Sequence, residues 1–293
     1  MKIISSAEQM QLVCRRLRQE GKRIGFVPTM GALHDGHLSL VRTARAQSQV
    51  VAVSIFVNPL QFGPKEDLAK YPRTFERDRQ MLDAEKVDLL FAPPVEEMYP
   101  PDATTYVTVE GLSENLDGRS RPGHFRGVTT VVSKLFHIVD PDLAFFGQKD
   151  AAQAAIIRRM VRDLDLPVRI VVCPIVREPD GLAMSSRNAY LDPPQRQAAT
   201  VLHRALMRIQ HLVDQGEQDS RTLIAAGKQV IAEEPAAKLD YLEIVDPDSL
   251  EPISDISHGA LVAIAAWIGT TRLIDNVVLY GKGNAAWPEV GRE

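Results

Sequence analysis

Cysteine is nearly absent from this 293-residue sequence, which holds only Cys14 and Cys173. The two lie far apart and form no CxxC, which excludes a disulfide-stapled fold and a cysteine zinc site. No apolar run approaches the length that spans a membrane, and residues 1–8 lack the apolar core of a signal peptide. An excess of charge is missing too. Lys and Arg number 34 against 38 Asp and Glu, a net of −4, so no electrostatic case exists for gripping nucleic acid or an anionic membrane. What remains is 45% hydrophobic and 25% charged, the balance of an ordinary globular protein with length for two domains or one large one. Two unpaired thiols lead to the expectation of a cytoplasmic protein, with Cys173 a buried strand residue.

Two kinds of apolar segment alternate over the first 176 residues. Residues 50–57 form an unbroken, largely β-branched run, as expected of a parallel strand covered on both faces. Residues 24–27, 89–92, 143–146 and 168–173 read as further strands, with helices at 36–46, 73–86, 128–139 and 150–163. The last helix spaces Ile156, Ile157, Met160, Val161 and Leu164 along one face, opposite Arg158, Arg159 and Arg162. Repeated strand–helix units predict an α/β fold: a Rossmann-like doubly wound parallel sheet that binds ligands at the carboxyl ends of its strands.

A turn-rich stretch at 178–194 marks a boundary. Beyond it, helices at 196–215 and 221–233 and strands at 239–245, 260–268 and 273–279 predict a smaller α+β domain with an antiparallel sheet, closing over the first. The expected division is 1–177 and 178–283, with a frayed tail at 284–293.

The most informative run is Val27-Pro28-Thr29-Met30-Gly31-Ala32-Leu33-His34-Asp35-Gly36-His37. A strand that stops at Pro28, turns through Gly31 and re-emerges as a helix brings free backbone N–H groups and the positive end of a helix dipole to the sheet edge, where phosphate would sit. At spacing i, i+3 the imidazoles of His34 and His37 share a helix face and can reach one anion. Half of a metal site is the competing reading, but neither HExxH nor a Cys pair accompanies the two histidines. His-x-Gly-His in this setting resembles the nucleotide-binding motif of the adenylyl-transferring superfamily.

Three further motifs fall at or beyond strand ends. Asn58-Pro59-Leu60-Gln61-Phe62 offers two carboxamides, which both donate and accept as hydroxyl and carboxylate recognition requires; a polar turn explains the segment equally well. In Gly147-Gln148-Lys149-Asp150-Ala151-Ala152-Gln153, Gly147 allows close approach, Lys149 supplies a point charge for phosphate, Asp150 caps the next helix, and Gln153 faces back over the site one turn on. Finally, Met184-Ser185-Ser186-Arg187-Asn188 sits at the domain junction. It resembles a divergent KMSKS loop without its leading Lys and with Arg187 in place of the last one, which keeps the charge and adds a planar fork.

These motifs together make the sequence similar to the pantoate–β-alanine ligase (pantothenate synthetase) family, and the similarity runs through essentially the whole chain. It also covers Tyr71-Pro72-Arg73-Thr74, Arg121-Pro122-Gly123-His124-Phe125-Arg126-Gly127 and Leu273-Ile274-Asp275-Asn276. The resemblance implies ATP-dependent condensation of (R)-pantoate with β-alanine to pantothenate, a step toward coenzyme A, releasing AMP and diphosphate through a pantoyl-adenylate. It implies an ATP site lined by Met30, Gly31, Ala32, Leu33, His34, Asp35, Gly36, His37, Gly147, Gln148, Lys149, Asp150, Val176, Met184, Ser185, Ser186 and Arg187. Of these, His34, His37, Lys149, Ser185, Ser186 and Arg187 would be catalytic, with His37 as proton donor. Gln61 and Gln153 would hold pantoate, and Gln61 with Asn58 would meet β-alanine. Mg²⁺ is implied as a phosphate-bound ion, but Phe75-Glu76-Arg77-Asp78 interrupts the acidic run that some family members carry, so no protein ligand is named. A homodimer is implied as well. A nucleotidyltransferase of the same superfamily stays open, although it would ask for more Arg and Lys around a phosphorylated substrate. A tRNA synthetase fits the acidic balance poorly, and a non-catalytic nucleotide-binding module would have to waste every one of these positions.

Overall fold

The structure is a computed structural model that describes residues 1–64 and 66–279. The expected tail at 284–293, and the end of the expected second domain at 280–283, lie outside the described residues. In chain order the elements are β1 (Lys2–Ile4), α1 (Ala7–Gln19), β2 (Ile24–Thr29), α2 (Asp35–Gln47), β3 (Val50–Ile55), α3 (Phe75–Ala84), β4 (Leu89–Phe91), α4 (Val95–Met98), α5 (Asp117–Ser120) and α6 (His124–Val139). They continue with β5 (Leu143–Gly147), α7 (Ala151–Asp163), β6 (Arg169–Cys173), α8 (Pro193–Ala198), α9 (Val201–Asp214), α10 (Ser220–Ala232), β7 (Ala237–Val245), β8 (Ala260–Ile268) and β9 (Thr271–Leu279).

Six strands form one parallel sheet in the order β1-β4-β3-β2-β5-β6. Successive residues along each strand face opposite sides, and each side meets its own helices. Phe26, Ala52, Phe91, Phe146 and Ile170 pack with Met10 and Cys14 of α1 and the apolar faces of α6 and α7. Val27, Val51, Val53, Leu90 and Phe145 pack with Leu38, Val41 and Ala44 of α2 and Leu82 of α3. Both faces are covered, so the strands can be apolar throughout. Strand order reverses between β2 and β5, and the crevice at such a switch point is where an open α/β sheet binds ligands.

The remaining strands form an antiparallel sheet in the order β7-β8-β9. Leu242, Ile244, Val262, Ile264 and Ala266 face α9 and α10. The alternate residues Tyr241, Val245, Ala263 and Ala265 pack into the core of the large sheet instead. β8 is therefore buried on both sides, and the two sheets share apolar contact.

Several boundaries differ from the sequence reading. β2 does not stop at Pro28 but runs to Thr29. β5 pairs with it only at Gly25 and Phe26, so at Pro28 the missing N–H costs no bond on that side. The expected helix at 196–215 is two: α8 starts from an Asp192–Gln195 capping box, and the chain breaks at Ala199–Thr200, where the Thr200 hydroxyl donates back to the Gln197 carbonyl. β1 and α1 were not anticipated, because a three-residue edge strand carries too short a pattern to read. No helix among the described residues is long and apolar enough to cross a membrane.

Candidate active site

β2 ends at Thr29 and leads into a turn with Gly31 at φ 79° and Ala32 at φ 50°, both in the left-handed region. His34 then caps α2, its Nδ1 accepting from the Gly36 N–H at 3.1 Å, which leaves Nε2 as the protonated nitrogen. The His34 and His37 rings lie 4.1 Å apart between centroids. Burial drives both pKa values down, His34 to about 4 with help from Lys149 and His37 to about 3 with help from His34. Both imidazoles are thus neutral near pH 7, acting as N–H donors rather than cations. His37 Nδ1 is buried and meets no protein partner.

The loop does not leave its backbone N–H groups free, as the sequence reading expected. Asp78, 1% exposed, accepts from Ala32 N at 2.8 Å and Leu33 N at 2.9 Å, and from the Thr74 hydroxyl at 3.0 Å. Its carboxylate holds the loop in shape from 45 residues away. Gly36 N is taken by His34. The turn's own amides are therefore largely taken, and the donors that face the cleft are side chains around the helix end.

β5 ends at Gly147, opposite this loop. Asn276 of β9, 2% exposed, donates to the Gln148 and Lys149 carbonyls at 2.8 and 3.0 Å and accepts from the Gln148 amide at 3.2 Å. Its neighbour Asp275 holds Arg177 through two bonds of 2.7 and 2.9 Å. Strand β9 thus fixes the turn that presents Lys149. Lys149 reaches Asp150 at 3.4 Å, and although burial alone would raise the Asp150 pKa, Lys149, Arg187 and His37 together bring it below the usual carboxylate range.

A third wall comes from the Asn58–Gln61 turn and the start of α6. Asn58, 1% exposed, donates to Gln61 Oε1 and the Gly127 carbonyl at 3.0 Å each, and accepts from Leu60 N and the Tyr99 hydroxyl. All four of its hydrogen-bonding sites are filled within the protein. Gln61 in turn donates toward Met30 Sδ at 3.1 Å. Gly127 permits this approach, since a Cβ there would stand 2.3 Å from the Leu60 carbonyl oxygen. Arg121 and His124 hold the Gln61 carbonyl, with His124 Nδ1 at 2.8 Å and Arg121 Nη2 at 3.3 Å. His124 is kept neutral, its pKa pushed down to about 4 by burial and by Arg121.

The Met184–Arg187 loop closes the cleft. The Ser186 hydroxyl donates to the Ala32 carbonyl at 3.0 Å, Met184 N to the Val176 carbonyl at 3.0 Å, and Ser185 Oγ accepts from Arg187 N. Arg187 forms a two-pronged pair with Asp67 at 3.0 and 3.1 Å.

Two connected spaces result: an inner cleft of about 220 Å³ and an outer cavity of about 1160 Å³, which share Arg121, His124, Lys149, Asp150, Gln153, Ser185 and Arg187. The inner cleft brings together Met30, His34, Gly36, His37, Asn58, Gln61, Gly147, Lys149, Asp150, Gln153, Val176, Met184, Ser185, Ser186 and Arg187. Gly31, Ala32, Leu33, Asp35 and Gln148 line neither space. Tyr71, Arg121 and His124 line the cleft and were given no role from sequence, although their segments stood among the motifs. Asn276 stood in a quoted motif without a role, while Asp78, Glu66 and Asp67 carried no local signal, since each acts on a partner distant in the chain. Cations, neutral N–H donors and amides around one cleft suit an anionic, multiply oxygenated substrate set whose reaction needs alignment and charge stabilisation.

A family model described as pantoate-beta-alanine ligase matches residues 2–278. The pantothenate synthetase of Koribacter versatilis is 67% identical over 288 residues, 98% of this chain and 99% of that one. The crystal structure of pantothenate synthetase from Thermus thermophilus agrees with a TM-score of 0.91 at 48% identity, over 96% of this chain and 100% of its own. That of pantoate-beta-alanine ligase from Francisella tularensis, complexed with beta-gamma ATP and β-alanine, agrees with a TM-score of 0.78 at 34% identity, over 95% of this chain and 97% of its own.

Proposed function

The chain belongs to the pantoate–β-alanine ligase family, and on that premise we propose how its residues join pantoate to β-alanine with ATP. A pantoate carboxylate oxygen bonds to the α-phosphorus as diphosphate leaves, giving a pantoyl-adenylate. The free amine of β-alanine then bonds to the acyl carbon as AMP leaves, and the nitrogen gives up a proton to the departing phosphate or to solvent. The observation that carries this reading is the convergence of Lys149, Arg187, His34 and His37 with Gln61 and Gln153 on one cleft at the β2/β5 switch.

Lys149 and Arg187 neutralise the phosphates, the latter by exchanging Asp67 for a phosphate oxygen. His34 and His37 donate N–H bonds as charge shifts to the leaving diphosphate. Proton donation by His37 further requires bound triphosphate to raise its pKa, because burial and the neighbouring His34 hold the ring neutral. Gln61 and Gln153 hold pantoate, while Asn58, with its own amide saturated, sets the direction of Gln61. Ser186 fastens the closing loop to Ala32 and Ser185 caps its turn through the Arg187 N–H, so that the loop shields the mixed anhydride from water. Within residues 30–37, 147–150, Val176 and 184–187, the cleft-lining side chains meet ATP, while Gly31, Ala32, Leu33, Asp35 and Gln148 shape the segments behind them.

Acids that could form a cage for Mg²⁺ do not gather here: among the described residues no three His, Cys, Asp or Glu cluster, and Asp78 is consumed by the loop. Mg²⁺ would come with the triphosphate, held by phosphate oxygens and water. A cytoplasmic homodimer completes the proposal; the two buried free cysteines suit a reducing compartment, and sedimentation tests the dimer.

Pantoate-dependent ATP–pyrophosphate exchange without β-alanine tests the reading. Exchange that needs pantoate supports acyl-adenylate formation. Intact ATP binding with no exchange sinks it and returns the chemistry to nucleotidyl transfer.

A further inference from the structure

Three cations line the inner cleft among the described residues: Lys149, Arg187 and Arg121. The first two are engaged by the triphosphate in the reading above, while Arg121, which supports the Gln61 carbonyl, is assigned no substrate group. The amine substrate, meanwhile, carries a carboxylate that enters a buried, polar site and needs a partner there. We propose that Arg121 is the carboxylate anchor for β-alanine, with Glu66 holding its place until the substrate arrives; the inference rests on the ligase reading.

The fork is already shaped for a carboxylate. Arg121 Nε and Nη2 meet Glu66 Oε1 and Oε2 at 2.8 and 2.6 Å, the two-pronged geometry in which guanidinium selects carboxylates. His124 accepts from Arg121 Nη1 at 3.0 Å, which stops the fork from rotating. Glu66 is a replaceable occupant: both side chains line the outer cavity and keep some exposure, 15% for Arg121 and 24% for Glu66. Substrate carboxylate replaces protein carboxylate, so the exchange leaves the count of charges on the guanidinium unchanged.

Distance fits as well. Arg121 also donates to the Gln61 carbonyl at 3.3 Å, beside the side chain assigned to pantoate. In β-alanine three bonds of about 1.5 Å separate the carboxylate carbon from the nitrogen, a reach of about 4 Å. A carboxylate on Arg121 thus places the amine near the acyl group that Gln61 positions. Of the other two arginines of the outer cavity, Arg187 is paired with Asp67 and assigned to phosphate, and Arg272 is locked between Asp117 and Asp240.

The test compares kcat/KM for β-alanine with that for 3-aminopropan-1-ol, which keeps the amine and lacks the carboxylate. Arg121→Gln should lower the ratio about 100-fold, the size of one lost charge-assisted pair. Arg121→Lys should keep part of it. In the unmodified protein, propionate should compete with β-alanine and propionamide should not. Equal loss for both amines would reduce Arg121 to a positioning residue for Gln61 and overturn the proposal, as would failure of propionate to compete. Failure of the ligase reading looks different: the unmodified protein would then show no pantoate-dependent pyrophosphate exchange.

Discussion

The wall of the cleft made by the ends of β2 and β5 and the wall made by the loops at 66–70 and 184–188 are held by different kinds of contact. On the first, buried uncharged or singly charged groups grip backbone: Asp78 takes two amides of the His loop, and Asn276 takes two carbonyls of the Lys149 turn. Each such bond is inside the protein and has no competitor in water, so the wall is set before any ligand arrives. On the second, guanidinium–carboxylate pairs join side chains that remain partly exposed: Arg187 with Asp67 and Arg121 with Glu66. Such a pair is easily traded for another anion. In the proposed reaction the rigid wall would align the phosphates, and the exchangeable wall would admit and release substrates.

Four changes would break or sharpen that contrast. Lys149→Ala, on the rigid wall, should slow pantoate-dependent exchange about a thousandfold with the fold retained, and should slow β-alanine attack on preformed adenylate much less. Equal losses in the two half-reactions would remove its phosphate role. His37→Ala should cost about a hundredfold in adenylation, with far-ultraviolet dichroism unchanged. Near-normal pyrophosphate release in that variant would remove its assignment.

Asp78→Ala should both destabilise, by about 1–3 kcal/mol for two orphaned amides in urea titration, and lower kcat about tenfold through a misplaced His34. If only stability falls, the Asp78 grip holds the fold and not the site. Asp67→Asn, on the exchangeable wall, should have the smallest effect: stability unchanged within error and a KM for ATP lowered a few-fold, because Arg187 loses its competitor. A large loss of kcat there would mean that both walls are rigid.

Acid should also test the burial of the three neutral histidines. His34, His37 and His124 have folded-state pKa values near 4, 3 and 4 against an ordinary 6.5, so the unfolded chain binds more protons below that value. Stability is therefore full above about pH 6.5 and declines as pH falls toward 4. Urea midpoints across that range should show the decline, and His124→Asn should flatten it. A midpoint independent of pH between 6.5 and 4 would contradict the burial of these rings.

Much of the large sheet was legible because each strand is a short apolar run and each intervening helix repeats its apolar face. The 196–215 helix was misjudged since the break at Ala199–Thr200 leaves apolar spacing intact on either side. In the cleft, residue types were legible where chemistry and position coincide, as for His34, His37 and Lys149 at strand ends. Asn58 looked like a ligand-facing amide from sequence, yet its four bonds run to Gln61, Gly127, Leu60 and Tyr99. No local pattern distinguishes an amide that faces a substrate from one that orients its neighbour.

Sequence alone determined the alternation of strands and helices, the parallel sheet, and the presence of phosphate-suited side chains at its edge, since periodicity and local turn chemistry are written within a few residues. Tertiary structure decided which backbone groups stay free and which charges are already paired. The partners involved stand 46 residues apart for Asp78 and Ala32, 120 for Asp67 and Arg187, and 128 for Asn276 and Gln148. Contacts at such separations follow from how the elements pack, with the small sheet burying one face against the large one so that β9 reaches the Lys149 turn.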